Sequence, residues 1–232
     1  MRPWEIMALD IYRKVFVASP ILKELILASM GSTALESRIV VTGLPFDSKA
    51  VLKVCDLSKA PAQEYDVVYS SRWDLEKQPA VFVALVESNP ELKFAVCTGR
   101  EELEGSDDIA IRRALELEAD GKLKIFRALK KPTYYAVLSR SRVQFNCSLQ
   151  DWVSFTLLEG LTFGCQPLYP NFRSFPETLV YSEENLYAPG NIEDASEKLR
   201  KLLKHEGQFR YRDAVLQQHD SALTQIAQAM ID

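Results

Sequence analysis

Arg72 and Lys77 stand five residues apart in "SRWDLEK" (71–77), between a strand-like run, Tyr65–Tyr69, and an apolar helix-like stretch that begins at Ala80. Cations at the start of a helix oppose its dipole unless something negative lies between them. A pair at that place is suited to neutralising phosphates. A second pair, Asp151 and Glu159, stands eight residues apart in "DWVSFTLLE", after the strand-like Arg142–Cys147. The turn between them, Val153, Ser154, Phe155 and Thr156, opens a helix and offers unpaired backbone N–H groups, a ready anion site. Glu159, one to two turns further in, is placed to hydrogen-bond a ribose whose phosphates occupy that helix start. Asp151, just outside the helix, points at whatever is attached beyond the phosphates. A nucleoside-diphosphate sugar needs this arrangement.

Such residues must be carried on a scaffold that brings two distant loops together. Short β-branched or aromatic runs alternate with helix-periodic stretches, a pattern of βαβ units and a mainly parallel sheet. The expected strands are 15–18, 38–43, 66–70, 93–98, 122–127, 142–147, 166–169 and 178–181. The expected helices are 20–30, 75–88, 107–119, 132–139, 153–163, 192–205 and 210–230. Residues 47–63 and the acidic 101–108 read as surface loops. In an open α/β sheet, ligands sit at the carboxyl ends of the strands, and both candidate pairs follow a strand end. The basic segment 198–212 reads as a solvated helix face.

Composition narrows the function. A chain of 232 residues that is 47% apolar has ample material for a core, and its net charge of −4 supplies no general field toward nucleic acid or anionic lipid. The four cysteines form no C-x-x-C pair and read as reduced structural thiols, and two histidines offer little for zinc. The start of the chain lacks the uninterrupted apolar core of a signal peptide, and no apolar run reaches the length of a membrane span. These features predict a cytoplasmic protein. There is no G-x-G-x-x-G, no G-x-x-x-x-G-K-[ST] and no G-x-S-x-G, which argues against a nicotinamide Rossmann enzyme, a P-loop NTPase and an α/β-hydrolase.

The two pairs together resemble the retaining GT-B glycosyltransferases of the glycogen-synthase and sucrose-synthase-like group. That family's E-G-F-G-x-x-x-x-E corresponds to Asp151 through Glu159, followed by "GLTFGCQPLYPNFRSFPETL". Its G-R-x-x-x-E-K loop corresponds to Ser71 through Lys77, with the same spacing from Arg to Lys. "RIVVTGLPFD" and "YAPGNIEDASEKLRKLL" fit two further segments, so the likeness runs from about Val15 to Asp232. The chain departs from the pattern in three ways. Asp151 replaces a Glu, Trp152 and Ser154 replace glycines, and Ser71 replaces another.

The resemblance implies an α/β, Rossmann-like domain, the C-terminal half of a GT-B fold, that transfers a sugar from a nucleotide donor with retention and without a metal or other cofactor. It implies catalytic roles for Arg72 and Lys77 on the diphosphate and for Asp151 on the transferred sugar. Glu159 would hold the ribose, Ser154, Phe155 and Thr156 the phosphates, and Leu129 and Lys130 the base. Trp73, Trp152 and Phe155 are expected to be packing residues. Residues 1–32 resemble the end of an acceptor domain, 33–207 form the donor domain, and 208–232 a C-terminal helix. The partners implied are a nucleoside-diphosphate sugar, an acceptor of open identity, and a second copy or partner domain docked on residues 1–30. Two rivals stand beside this reading: a non-catalytic nucleotide-binding interaction module of the same fold, and a nucleotide-sugar epimerase.

Overall fold

A computed structural model describes residue 9 and residues 11–31, 34–55, 63–205 and 207–231. Six parallel strands form the main sheet in the order β5-β4-β3-β6-β7-β8. They are β3 (Tyr65–Tyr69), β4 (Phe94–Cys97), β5 (Leu123–Phe126), β6 (Ser141–Phe145), β7 (Gln166–Pro170) and β8 (Leu186–Tyr187). The chain runs outward from β3 to β5, returns to the middle, and runs outward again from β6 to β8. Strands β3 and β6 therefore flank a topological switch point, where α/β sheets open a crevice.

Each face of the sheet is covered, which is why its strands read as apolar on both sides. Val67 and Tyr69 pack with Phe82, Phe94, Leu117 and Leu199 in one cluster, while Val68 and Ala95 pack with Tyr135 and Leu138 in another. Trp73 is 2% exposed and edge-on to Tyr69 and Phe82, a packing residue as expected. The helices open on residues suited to it. Helix α4 (Asp108–Ala119) is capped by Asp107, α8 (Ile192–Lys204) by Asn191, and α3 (Pro79–Ser88) begins on a proline.

Helix α1 (Pro20–Met30) matches its expected span, with Ser19 as N-cap and left-handed Gly31 closing it. It covers a separate two-stranded parallel sheet of β1 (Val15–Val17) and β2 (Ile39–Val41). The strand expected at 38–43 thus belongs with residue 15 and its neighbours, outside the main sheet. The clasp on the segment after it comes from the other end of the chain. His219 Nδ1 accepts from the Leu44 N–H at 2.9 Å, and the Asp220 carboxylate accepts from the Ser48 N–H and hydroxyl at 2.7 and 2.6 Å.

Other boundaries also moved. Residues 178–181 are no strand: Thr178 ends the short helix α7 (Phe175–Thr178), and Val180 and Tyr181 take left-handed φ values of 54° and 53°. An apolar β-branched run there packs as a helix end, because the N–H groups of Leu179, Val180 and Tyr181 donate to the carbonyls of Phe175, Glu177 and Pro176. The helix expected at 75–88 is a 3₁₀ turn (Leu75–Lys77) and then α3, since Pro79 bars Gln78 from right-handed helix. Residues 210–230 divide at Ser221 into α9 (Arg212–Asp220) and α10 (Ala222–Ile231). The loop expected at 47–63 contains helix α2 (Ser48–Lys53), with residues 56–62 outside those described. No helix among the described residues is long and apolar enough to cross a membrane. None of the four cysteines forms a disulfide.

Candidate functional site

The loop after β3 and the loop after β6 meet over the switch point. Asn146 Nδ2 donates to Ser71 Oγ at 3.3 Å, and Lys77 Nζ lies 2.5 Å from Asp151 Oδ1. Those two side chains are 13% and 26% exposed, so their charges meet partly screened from water. Lys77 is the last residue of the 3₁₀ turn, and the turn is pinned from below. The Cys147 thiol donates to the carbonyls of Lys77 and Gln78 at 3.3 and 3.2 Å. Burial pushes that thiol up to about 12, so at neutral pH it is a donor and no nucleophile.

Arg72 occupies the same loop but faces outward. Its side chain is 68% exposed and held between Asp74 and Glu76, at 2.6 and 2.7 Å. It lines a cleft of about 700 Å³ with Arg100 and Glu104. A narrower cavity of about 240 Å³ adjoins this cleft, and the two share Ser70, Cys97, Thr98 and Gly99. Thr156, Glu159, Leu129, Lys131 and Tyr134 complete the narrow one.

Helix α6 (Phe155–Thr162) supplies the cavity's acid. Ser154 is its N-cap, its hydroxyl accepting from the Leu157 N–H at 3.4 Å and lying 2.5 Å from Thr156 Oγ1. Val153 therefore stands outside the helix, and the N–H groups of Phe155 and Thr156 open it with no acceptor in the preceding turn. Phe155 itself is 50% exposed and tilted against Phe46, away from the cavity lining. Glu159 is 5% exposed. Its Oε1 accepts from the Tyr135 hydroxyl at 3.0 Å and forms an ion pair with Lys131, and among the described residues no donor pairs with Oε2. Burial, and then the Glu159 charge, push the Tyr135 hydroxyl well above its usual range, so it stays a donor.

The loop after β5 contributes to the same cavity. The Leu129 N–H is spent on the Thr98 carbonyl at 3.1 Å and the Ala128 N–H on the Arg100 carbonyl at 2.7 Å. Leu129 lines the cavity; Lys130 is exposed and caps helix α5 (Lys131–Leu138), and the wall residue is its neighbour Lys131. Among the described residues, three of the five non-glycine residues with positive φ, Gln78, Ala128 and Arg173, sit on loops leaving the carboxyl ends of β3, β5 and β7. Backbone strain concentrated at one edge of a sheet is a mark of a functional edge.

The fold thus joins Lys77 to Asp151, sets Glu159, Thr156 and Leu129 around one cavity, and leaves Arg72 at its mouth. It assigns Ser154 to capping and turns Lys130 and Phe155 outward. Lys131 and Tyr135 were missed by the sequence reading. One signal was present: Lys131 opens a helix against the dipole and Lys77 stands two residues before the start of another, and both turn out to face a carboxylate.

No protein-family model matches the chain. Among curated proteins, it is 25% identical over 129 residues to the tRNA-queuosine alpha-mannosyltransferase of Drosophila melanogaster, matching 54% of this chain and 33% of that protein. The chain thus spans about a third of the length of that curated relative. Among solved structures, sucrose-phosphate synthase from Thermosynechococcus elongatus aligns with 99% of this chain and 61% of its own at a TM-score of 0.76 and 16% identity. Anabaena HepE in complex with UDP aligns with 97% of this chain and 67% of its own, at 0.75 and 12%. A glycosyltransferase from Rickettsia africae ESF-5 aligns with 99% and 66%, at 0.72 and 14%. The resemblance read from the sequence holds at the level of fold: the chain shares its Rossmann-like parallel sheet with GT-B glycosyltransferases.

Proposed function

We propose that the chain is the donor-nucleotide half of a retaining glycosyltransferase, binding a nucleoside-diphosphate sugar over the β3–β6 switch point and using no divalent metal. The observation that carries this reading is the Lys77–Asp151 contact, which ties the two motif loops together beside the cavity that holds Glu159. In this reading the ribose hydroxyls donate to Glu159 Oε2. The Phe155 and Thr156 N–H groups meet the diphosphate. Lys77, now neutralised by Asp151, exchanges that partner for phosphate and frees Asp151 to accept from the sugar. Arg72, exposed and tethered only to surface carboxylates, swings onto the diphosphate as the glycosidic bond breaks, and fixed cations of this kind stabilise a leaving group as a metal does. Leu129 takes one face of the base, with Lys130 beside it. Retention of configuration rests on the resemblance alone, and the anomeric form of the product, read by NMR, tests it.

The neighbour solved with UDP makes UDP the first probe, with GDP and ADP alongside. Calorimetry is expected to show UDP binding unchanged by EDTA and weakened about ten- to a hundredfold by Arg72→Ala, the loss of one charge-assisted hydrogen bond of ~1.5–3 kcal/mol. Wild-type affinity in Arg72→Ala overturns its role. Binding without any release or transfer of sugar from a donor favours the non-catalytic module instead.

The curated relative acts, by its name, on a nucleoside of tRNA, and this supports an RNA nucleoside as acceptor here. The composition supports a cytoplasmic location. The two-stranded β1–β2 sheet, with exposed Ile11 and Tyr12 nearby, supports docking of a second copy or a partner domain on residues 1–30. Light scattering on the chain with and without those residues tests it: a strict monomer in both forms excludes self-association.

A further inference from the structure

Helix α1 and the loops after β6 and β7 enclose a recess of about 430 Å³ that no role yet described uses. Leu22, Leu25, Ile26 and Ser29 of α1 line it, and Trp152, Phe172 and Arg173 complete it. Trp152 directly follows Asp151, so this recess begins where the sugar end of the donor would lie. The sequence favours packing over a sugar-stacking platform for Trp152; the fold puts it in the lining of an open recess.

The Trp152 wall is built with some care. The Trp152 carbonyl accepts from the hydroxyl of fully buried Ser174, which ties the Asp151 loop to the loop after β7. Arg173 is held at φ 51°, a conformation that costs a residue with a side chain and persists only where its surroundings impose it. In that conformation its guanidinium lies 4.6 Å from the Trp152 ring centre and 5.8 Å from that of Phe172. Among the described residues no carboxylate pairs with it. A partly buried guanidinium, stacked on an indole, with its N–H donors unclaimed, is arranged for an anion.

We propose that this recess is the acceptor subsite and that it takes one nucleotide unit of single-stranded RNA. The inference rests on the donor-site reading given above. Unstacked bases are held on aromatic rings and guanidinium planes, and Trp152, Phe172 and Arg173 offer all three surfaces on one wall. The aliphatic wall of α1 covers the opposite face of the base. Arg173 takes the adjoining phosphate. An alkyl chain carrying a phosphate shares the apolar and anionic parts of this chemistry but makes no use of the stacked planes, so the test includes it.

The experiment measures three ligands on the full chain: a short fluorescein-labelled single-stranded RNA by anisotropy, UDP by calorimetry, and phosphatidylcholine vesicles containing phosphatidylglycerol by sedimentation. Trp152→Ala and Arg173→Ala are each expected to weaken RNA binding about tenfold while UDP affinity stays at the wild-type value. Arg173→Ala should also flatten the dependence of log affinity on log salt by about 0.7, one phosphate's worth for a single strand. Trp152→Phe should recover most of the affinity, and Arg173→Lys should recover the salt slope but not the affinity. RNA binding indifferent to both alanine variants, or absent from the wild type, overturns the proposal while UDP binding leaves the donor reading standing. Losses confined to vesicle binding overturn it in favour of a lipid phosphate. Wild-type chain that fails to bind UDP overturns the donor reading, and the acceptor assignment falls with it.

Discussion

Glu159 and Lys131 set the terms at the scale of single residues. A carboxylate only 5% exposed needs compensation to stay charged, and here a lysine and a tyrosine hydroxyl both supply it on one oxygen. If Oε2 receives the ribose, Glu159→Gln weakens UDP binding but leaves inorganic pyrophosphate almost unaffected. Lys131→Met then has a related effect through Glu159. Removing the cation leaves the buried carboxylate with one charge-assisted partner fewer, so UDP affinity should fall about tenfold in the variant. Calorimetry decides it, and wild-type affinity in Lys131→Met would show that Lys131 does not hold Glu159 in place. Arg72 behaves differently. At 68% exposure its pairs with Asp74 and Glu76 contribute little to stability, so its alanine variant should fold normally and report on binding alone.

The elements that carry these residues pack closely. Helix α6 comes so close to β6 that a Cβ on Gly160 would lie 2.2 Å from Gln144 Oε1. Gln144 cannot retreat easily, since it is 1% exposed and bonded to the Tyr169 hydroxyl and to Ser70 Oγ. Gly160→Ala should therefore act as an overpacking change, costing about 1–3 kcal/mol. Because Glu159 is the adjacent residue, nucleotide affinity should drop as well. Thermal melts with and without UDP check both effects; an unchanged melting temperature would mean that the helix can lift off the sheet at no cost.

Across the whole molecule, the two ends of the chain are linked through His219. The imidazole is 1% exposed and accepts from the Leu44 N–H through Nδ1. Burial lowers its pKa to about 4, with Asp220 opposing only in part. The lowered value fixes the sign. Above the usual histidine value of about 6.5 the group is neutral in folded and unfolded chains alike, and its contribution is complete. Between pH 6.5 and 4 the unfolded chain takes up the proton first, so stability falls by roughly 3 kcal/mol across that window. Urea midpoints at pH 7 and pH 4.5 should show the drop, and His219→Asn, which keeps an acceptor near Nδ1 but cannot titrate, should reduce it. Equal pH dependence in both proteins would place the acid sensitivity elsewhere.

Much of this architecture was legible in the sequence. Apolar runs with strand or helix periodicity marked seven of the eight strands and most helices, because burial on both faces of a parallel sheet leaves a continuous local signal. The one misplaced strand, at 178–181, carried that signal for another reason: its apolar residues serve a helix end, and the true last strand, Leu186–Tyr187, is too short to show a period. The spacing of Arg72 with Lys77 and of Asp151 with Glu159 was equally visible, since each pair lies within one loop and the element that follows it. What the sequence could not supply was the meeting of the two pairs. Lys77 and Asp151 are 74 residues apart, and they touch because β6 returns to lie beside β3 instead of extending the sheet beyond β5. Strand order is set by how helices on both faces share the core, a property of the packed whole that no local run of residues encodes. The same holds for Lys131 at Glu159 and for the recess between α1 and Trp152, each formed by side chains that become neighbours only once the sheet is assembled.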